Sequence, residues 1–537
     1  MSEAAHPESA DTAPGPTTTA TESSRREFLR WLSLGGVGAA ATGGALLTAA
    51  PKVWAEDPAD AAIMVLAGAT VIDGTNARPR PDTSVVIAGD RIVSLIRGRP
   101  APRTNGVRIV DARGKFVIPG LWDMHAHGTV DEQIFPPLHL ANGVTGIREM
   151  WGYPEVQALR RRIDAGETLG PRMRVASPII DEPPTILGPP AALVRTPSEA
   201  RAAVRRSKDE GADFVKVYSY LGRDAYFAIM DEARHQRLPV AGHLPYRVTA
   251  AEASDLGQRS FEHLFGLPVA TSLREREFTQ RIADTPVTDP TAYFYLMREW
   301  EWEATESFSL RRAVGLFRRL ARNGTWLSPT LAVNRVVNSP ADTFAADPRM
   351  RYMPASYRAT WAERVKIFAP NTPERTVRQR EFFQFLSRLV GHAQRTGVAI
   401  VGGTDCGNPY CFPGFSLHDE LSLLVDAGLS ELEALQSVTR NAARYLGEEQ
   451  TTGTVARGRV ADLVLLDADP LADIRNIRRI HAVVSRGRLI TSAQRARMLA
   501  DVEAAAANPT LARRAPSCPC HPALPTPNAR RVRQGGR

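Results

Sequence analysis

The chain has 537 residues, of which 43% are hydrophobic, and its formal net charge is +9. This length accommodates a barrel-sized domain and a smaller second domain, and four cysteines are too few for a disulfide framework. The positive net charge does not indicate a nucleic-acid-binding surface on the body of the protein. Much of it comes from an acid-free C-terminal segment with six arginines, namely Arg513, Arg514, Arg530, Arg531, Arg533 and Arg537.

Residues 1–55 are predicted to contain a twin-arginine-type signal segment. The pair Arg25-Arg26 precedes a Gly/Ala-rich apolar run over residues 31–50, and small residues near Ala55 suit a cleavage site. Glycines and threonines dilute this run, which favours a cleaved signal over a membrane anchor. We therefore expect the twin-arginine machinery to export the protein to the periplasm or the medium, with only transient contact with the membrane.

Two β-rich segments flank a long middle region. Residues 56–118 and 450–497 contain short alternating strands bounded by Gly and Asp turns, for example 84-SVVIAGDRIVSLI-96 and 480-IHAVVSRGRLI-490. Because the two segments share this texture, we expect one small composite β-sandwich domain built from both ends of the chain.

The middle region, residues 119–449, alternates short apolar runs with helical patterns. This alternation predicts an α/β fold, a distorted (β/α)8 TIM barrel, with helical insertions at 270–324 and 332–397 covering its mouth. A Pro/Arg-rich tail over 504–537 is predicted to be disordered. The eight predicted strands cover residues 116–124, 143–150, 172–179, 212–220, 238–244, 259–264, 325–331 and 398–405.

Polar side chains occur where five of these strands end. The C-terminal ends of barrel strands converge on one centre, so these side chains are expected to meet there. Neutral imidazoles and a carboxylate suit Zn²⁺ or a similar divalent ion. The predicted metal ligands are His125 and His127 on the first strand, Lys216 on the fourth, His243 on the fifth, His263 on the sixth and Asp405 on the eighth.

Lys216 is the unusual member of this set. Burial disfavours the ammonium form, and a neutral amine takes up CO2 to give an anionic carbamate that bridges two cations. His125, His127 and Asp405 would then hold one ion, and His243 and His263 the other. A hydroxide shared by the ions would be the nucleophile, and Asp405 would carry its proton to the leaving amine. Taken singly, each residue also has a structural interpretation as a core histidine, a strand lysine or a turn residue.

The motifs around these residues resemble the amidohydrolase superfamily, in its imidazolonepropionase-like and prolidase-like branch. The resemblance covers about residues 62–490 and implies a carboxylated Lys216 with two metal ions. A single ion on His125, His127, His243 and Asp405 is the alternative, with His263 then steering substrate. The matching segments are 118-IPGLWDMHAHG-128, 143-GVTGIRE-149, 212-ADFVKVY-218, 240-VAGHL-244, 261-FEHL-264, 402-GGTD-405, 430-SELEALQSVTRNAARYLG-447 and 456-ARGRVADLVLLDADPL-471.

The predicted function is hydrolysis of a carbon–nitrogen bond in a small amide or dipeptide. A cyclic amide, another C–N or ester substrate, or a metal-binding barrel without turnover are the alternatives, and the oligomeric state stays open. Three residues are weaker candidates for substrate binding. Tyr218 shares the face of Lys216 but also suits the core, Arg148 suits a substrate carboxylate or a structural ion pair, and His418 follows the eighth strand.

Overall fold

The computed structural model describes residues 63–98, 106–128, 131–370 and 372–509. The predicted export signal and the segment after residue 509 lie outside these ranges. The last helix ends at Ala506, so it includes the first residues of the segment predicted to be a tail from residue 504. Within the described ranges, no helix has both the length and the apolar character needed to cross a membrane.

The described strands fall into a large sheet formed by the two ends of the chain and two smaller parallel sheets. In chain order they are β1 (Ile63–Val71), β2 (Arg80–Ala88), β3 (Arg91–Arg97), β4 (Val107–Asp111), β5 (Phe116–Pro119), β6 (Leu121–Ala126), β7 (Val144–Glu149), β8 (Arg172–Val175), β9 (Ile180–Asp181), β10 (Ala192–Leu193), β11 (Val215–Val217), β12 (Val240–Gly242), β13 (Ser260–Glu262), β14 (Trp326–Ser328), β15 (Leu463–Leu466), β16 (Ile480–Ser485) and β17 (Arg488–Ile490).

Helices follow most of the parallel strands and fill both predicted insertions. In chain order they are α1 (Phe135–Ala141), α2 (Pro154–Asp164), α3 (Pro197–Asp209), α4 (Arg223–Gln236), α5 (Ala250–Asp255), α6 (Leu267–Ala270), α7 (Glu275–Asp284), α8 (Pro290–Thr305), α9 (Leu310–Asn323), α10 (Leu331–Val337), α11 (Ala355–Phe368), α12 (Pro373–Arg395), α13 (Phe415–Asp426), α14 (Glu431–Ser437), α15 (Arg440–Leu446) and α16 (Ser492–Ala506), with 3₁₀ turns at Pro348–Tyr352 and Ile474–Arg478.

The large sheet joins the two ends of the chain. Its strand order is β17-β16-β15-β5-β1-β2-β3, and β4 branches off by pairing with β1. These strands form one hydrogen-bonded sheet from both ends of the chain, and their packing as a sandwich stays a prediction. The branch arises because β1 pairs in parallel first with β4, at Ile63 to Ala67, and then with β5, at Thr70 and Val71.

The apolar run 116–124, predicted as one strand, is divided at Gly120. Its first part, β5, pairs with β15 of the large sheet, whereas its second part enters β6, which pairs with β7. A side chain at Gly120 would lie 2.2 Å from Thr145 Oγ1, so only glycine allows the chain to pass this closely between the two sheets. This division separates His125, which lies in β6, from the large sheet.

The two smaller sheets carry the strand ends of the middle region. Their orders are β6-β7-β8 and β10-β9-β11-β12-β13-β14, and their strand pairs are parallel. Strands β11 to β14 are buried on both faces, as expected for parallel strands covered by helices. Isolated parallel bridges connect Ala176 to Phe214, Leu327 to Ile400 and Ala126 to Cys406. The run 398–405 has one of these bridges, at Ile400, but no strand of its own.

Candidate metal centre

The six predicted ligands are buried together at the carboxyl ends of β6, β11, β12 and β13 and in the loop after residue 400. Each is at most 3% exposed. His125 lies within β6 and Lys216 within β11, whereas His243 and His263 directly follow β12 and β13. Six polar side chains are therefore buried in one region. Burying polar and charged groups is costly unless they pair with one another or coordinate an ion.

Asp405 lies among the histidines. Its Oδ1 is 3.2 Å from His127 Nε2 and 3.5 Å from His125 Nε2, and its Oδ2 is 3.8 Å from His263 Nδ1. The ring centres of His125 and His263 are 4.5 Å apart, and those of His263 and His243 are 5.0 Å apart. The structure thus brings together residues that lie up to 280 positions apart in the sequence.

Three of the four histidines are hydrogen-bonded through Nδ1, and the Nδ1 atom of His127 lies near a carboxylate. Glu262 Oε2 lies 2.7 Å from His125 Nδ1, and Glu149 Oε1 lies 3.5 Å from His127 Nδ1. Hydroxyl oxygens perform the same role at 2.7 Å for the other two, with Ser219 at His243 and Thr330 at His263. This leaves Nε2 of each ring as the ligand nitrogen, since metal-binding histidines are commonly oriented by a partner on the other nitrogen.

The electrostatics favour neutral imidazoles beside an ionised carboxylate. Burial lowers the pKa of His125 to about 4 and holds the pKa values of His243 and His263 well below the usual range. Burial acts to raise the pKa of Asp405, but the neighbouring His263, His125 and His127 outweigh it and hold this pKa well below its usual range. Neutral imidazole and carboxylate are the forms that bind divalent metal ions.

Unsatisfied ligand atoms show that a metal ion fits this site. In the described part of the chain, His125 Nε2, His243 Nε2 and both Asp405 oxygens are buried and have no hydrogen-bond partner. Ligand atoms of His125, His263 and Asp405 lie within 4.8 Å of one another. Buried polar atoms without partners are costly, so an ion that coordinates them removes a real penalty.

The backbone at two ligands is strained. Asp405 has φ +60° and His263 has φ +62°, in the left-handed region that residues other than glycine seldom adopt. Such conformations cost about 1–3 kcal/mol each and persist at functional sites because the surrounding structure fixes them. Close packing contributes here, since a side chain at Gly403 would lie 2.6 Å from His125 Cβ.

Tyr218 lies at the edge of the metal centre. Its ring stacks on His243 with 4.1 Å between ring centres, and the residue is fully buried. On its other side it belongs to an apolar cluster that includes Trp151 and Ile179 from neighbouring strand ends and Tyr293 from α8. Tyr218 therefore lies between the metal centre and this apolar cluster. Its contact with substrate stays a prediction.

Arg148 does not have the position predicted for a substrate contact. Its Nε donates to the Met124 carbonyl at 2.5 Å, one terminal nitrogen donates to Ser260 and Tyr445, and the other contacts both Glu262 oxygens at 2.9 Å. These bonds use all five guanidinium N–H groups, and the residue is fully buried. Of the two interpretations that the sequence left open for Arg148, the structure supports the structural ion pair over the substrate contact.

His418 is a similar case. It lies on α13, and its Nε2 is 2.9 Å from the carbonyl oxygen of Asn142. Asn142 precedes β7, whereas the metal centre lies beyond the opposite, carboxyl end of that strand. The sequence left open whether His418 faces the pocket, and the structure places it instead beside the residue that precedes β7.

Sequence reasoning missed several residues that position the ligands. Glu262 holds His125, and although burial acts to raise the pKa of Glu262, the Arg148 guanidinium outweighs it and lowers this pKa. Asp123 accepts hydrogen bonds from the backbone N–H of His125 and from Thr404. The available signal was an acidic residue inside an otherwise apolar strand run, in 121-LWDMHA-126 and in 260-SFE-262.

Ser219→Ala is expected to weaken metal binding about 10- to 100-fold, because it removes the group that orients His243. The side chain is small, so the global unfolding midpoint should change little. Metal affinity is measured by competition with a chelator of known affinity. Ser207→Ala is the matched control, since its buried hydroxyl donates to the Ala203 carbonyl within α3. Equal affinities of the two variants would contradict the assigned role of Ser219.

Comparisons with known proteins agree with this geometry. Residues 386–490 match the family model described as the amidohydrolase family. Imidazolonepropionase from Hyphomonas neptunium is 33% identical over 102 residues, which are 18% of this chain and 24% of that protein. Adenine deaminase 2 from Rhizobium meliloti is 45% identical over 76 residues, which are 14% of this chain and 12% of that protein. The chain thus spans about a quarter or less of the length of these curated relatives.

Solved structures extend the likeness over most of the chain. A bottromycin amidohydrolase superposes with a TM-score of 0.65 at 24% identity, covering 83% of this chain and 91% of that chain. An Xaa-Pro dipeptidase with bound methionine gives a TM-score of 0.58 at 20% identity, covering 80% of this chain and 100% of that chain. At these identities the likeness concerns the fold. Together with the family match over residues 386–490, it supports a relationship to the amidohydrolase superfamily.

Proposed function

We propose that this protein is a metal-dependent hydrolase that cleaves the carbon–nitrogen bond of a small amide or dipeptide. The observation that carries this proposal is the set of four buried histidines near Asp405, three of which are hydrogen-bonded through Nδ1. The Asp405 carboxylate, whose two oxygens lack hydrogen-bond partners in the described residues, is available both to bind metal and to accept a proton. The proposal extends the family assignment to the activity of the whole chain.

We further propose that the two smaller sheets belong to one distorted (β/α)8 barrel. Three isolated parallel bridges support this, because they connect β8 to the residue before β11, β14 to residue 400, and residue 406 back to β6. The parallel strand pairs and the helices between them support it as well. In such a barrel the site lies at the carboxyl ends of the strands, where barrel enzymes carry out their chemistry.

Two zinc ions bridged by a carboxylated Lys216 are the proposed cofactors. His125, His127 and Asp405 would hold one ion, and His243 and His263 the other. When bound, the ions lower the pKa of water and polarise the substrate carbonyl. A single ion on His125, His127, His243 and Asp405 is the competing arrangement.

Asp405 has two proposed tasks. Its ionised carboxylate binds metal, and one oxygen receives the proton of the attacking water. The same oxygen then donates this proton to the leaving nitrogen, so that the amine departs as a neutral molecule. Burial supports this transfer because bulk water does not reach the carboxylate to compete for the proton.

Linear amides and dipeptides lead the proposed substrates, since the Xaa-Pro dipeptidase shares the fold over its whole chain. Cyclic amides are the second candidate, favoured by the sequence match to imidazolonepropionase. A panel of dipeptides, N-acyl amino acids, cyclic amides and esters, assayed with zinc-loaded protein, tests the proposal. Hydrolysis of at least one amide class is expected. If no member of the panel is hydrolysed, the result contradicts the proposed activity and favours a metal-binding protein without turnover.

We also propose export through the twin-arginine route, which rests on the sequence of residues 24–55 alone. Folding before export suits a protein that acquires its metal inside the cell. Replacing both Arg25 and Arg26 by lysine is expected to retain the protein inside the cell, and unchanged secretion of this variant would contradict the proposal.

A further inference from the structure

A second arginine lies near the metal centre, and its hydrogen-bonding capacity is mostly unused. Arg298 is on α8, in the first insertion, and its side chain is only 12% exposed. One terminal nitrogen donates to Glu301 Oε2 at 3.3 Å. Within the described residues its Nε and other terminal nitrogen have no acceptor, in contrast to Arg148, whose five N–H groups are all used.

The guanidinium group of Arg298 is fixed by aromatic rings. Its Cζ lies 5.5 Å from the ring centre of Phe265 and 5.2 Å from that of Phe382 on α12. Stacking on aromatic faces suits arginine and restricts its rotation. Glu301 anchors the pair, since its Oε1 accepts the Gly266 N–H at 2.6 Å. The insertion is thereby tied to the loop that follows His263.

Phe265 connects this arginine to the metal centre. Its ring centre is 5.0 Å from that of His243 and 5.2 Å from that of His263. Two contacts therefore separate the guanidinium from the ligand rings, a span of at most about 11 Å, which a peptide of about three residues covers. A substrate whose anionic group contacts Arg298 would therefore have an amide bond within reach of the metal-binding histidines.

We propose that Arg298 binds the terminal carboxylate of a short peptide or N-acyl amino acid substrate. This inference rests on the proposed function, because it assumes that the scissile amide lies at the metal centre. A guanidinium with one edge held by Glu301 and donors left on the other matches a carboxylate in a fork-like arrangement. The aromatic cluster around Tyr218, Tyr293 and Trp300 favours an apolar side chain on the same substrate.

Binding of N-acetyl-L-phenylalanine and its primary amide to the zinc-loaded protein tests this inference without requiring turnover. We expect the acid to bind about 10- to 100-fold more tightly than the amide, as a charged hydrogen bond provides. Arg298→Gln should remove this preference, and Arg298→Lys should retain part of it, because lysine keeps the charge without the fork. The ratio of the two affinities does not depend on the fraction of folded protein.

Arg375→Gln is the matched control, because Arg375 also lies over an aromatic ring, that of Trp302, and pairs with a glutamate of α8, Glu299. It should keep the preference for the acid. A preference that survives in Arg298→Gln but disappears when a chelator removes the zinc would assign the carboxylate to the metal and overturn the inference. Failure of both probes to bind would also overturn it. The amide panel reports separately on hydrolysis, so either proposal can fail alone.

Discussion

Asp405→Asn is expected to lower kcat about a thousandfold in the zinc-loaded enzyme. Asparagine has nearly the same shape as aspartate but cannot take up the proton of the attacking water, and positioned proton transfer typically contributes 10²- to 10⁴-fold. The neighbouring histidines hold the Asp405 carboxyl ionised, so the wild-type group is ready to accept that proton at neutral pH. The amide also weakens one metal contact, which adds to the loss.

The kinetics of the best substrate from the amide panel, together with the metal content of each variant, provide the measurement. Comparison at full metal occupancy separates proton transfer from metal loss. Asp462→Asn is the control, because Asp462 is a buried carboxylate that accepts the Arg486 N–H and pairs with Arg172 away from the metal centre. Its kcat should stay near the wild-type value. Full activity of Asp405→Asn would remove the proton-transfer role from this residue.

Arg148→Met is expected to destabilise the fold by about 3–5 kcal/mol, because it leaves the Glu262 carboxylate buried and without its cation. Glu262 also holds His125, so the change should weaken metal binding as well. A substrate-binding arginine would behave differently, raising KM while leaving stability unchanged. This variant therefore tests the structural role of Arg148.

Urea unfolding of the single and double variants measures this effect. Arg148→Met/Glu262→Gln should be less destabilised than the sum of the two single changes, since removing both charges leaves neither unpaired. Arg113→Met is the control, because it breaks an exposed pair with Asp111 and should leave the midpoint unchanged. An Arg148→Met midpoint equal to that of Arg113→Met would contradict the buried-network account.

The ligand residues could be predicted from the sequence because each lies at the end of an apolar run, and parallel strands bring such ends together. His125 and Lys216 needed no knowledge of helix packing to be placed. The residues behind them could not be found in this way. Ser219 and Thr330 act through single hydrogen bonds, and nothing in the local pattern distinguishes these hydroxyls from others.

The sequence could not decide the roles of Arg148 and His418, and the cause is the same for both. Arg148 and His418 were assigned from their distance along the chain to a strand end, whereas the direction of each side chain depends on tertiary partners. For Arg148 the partner is Glu262, which lies 114 residues away in the sequence. Arg298 is the opposite case, a candidate that sequence reasoning did not find. It lies on α8, a helix of the first insertion, and no sequence motif predicts its position near the metal centre.

Metal analysis combined with activity tests the central claim most directly. Protein stripped with a chelator should hydrolyse no substrate, and titration with zinc in the presence of bicarbonate should restore activity up to about two ions per chain, as a paired site requires. Carbon-13 carbonate should label Lys216 as a carbamate over the same titration. Activity that persists in the metal-free protein would contradict the assignment of a metal-dependent hydrolase. Saturation at one ion without a carbamate would contradict the two-ion centre.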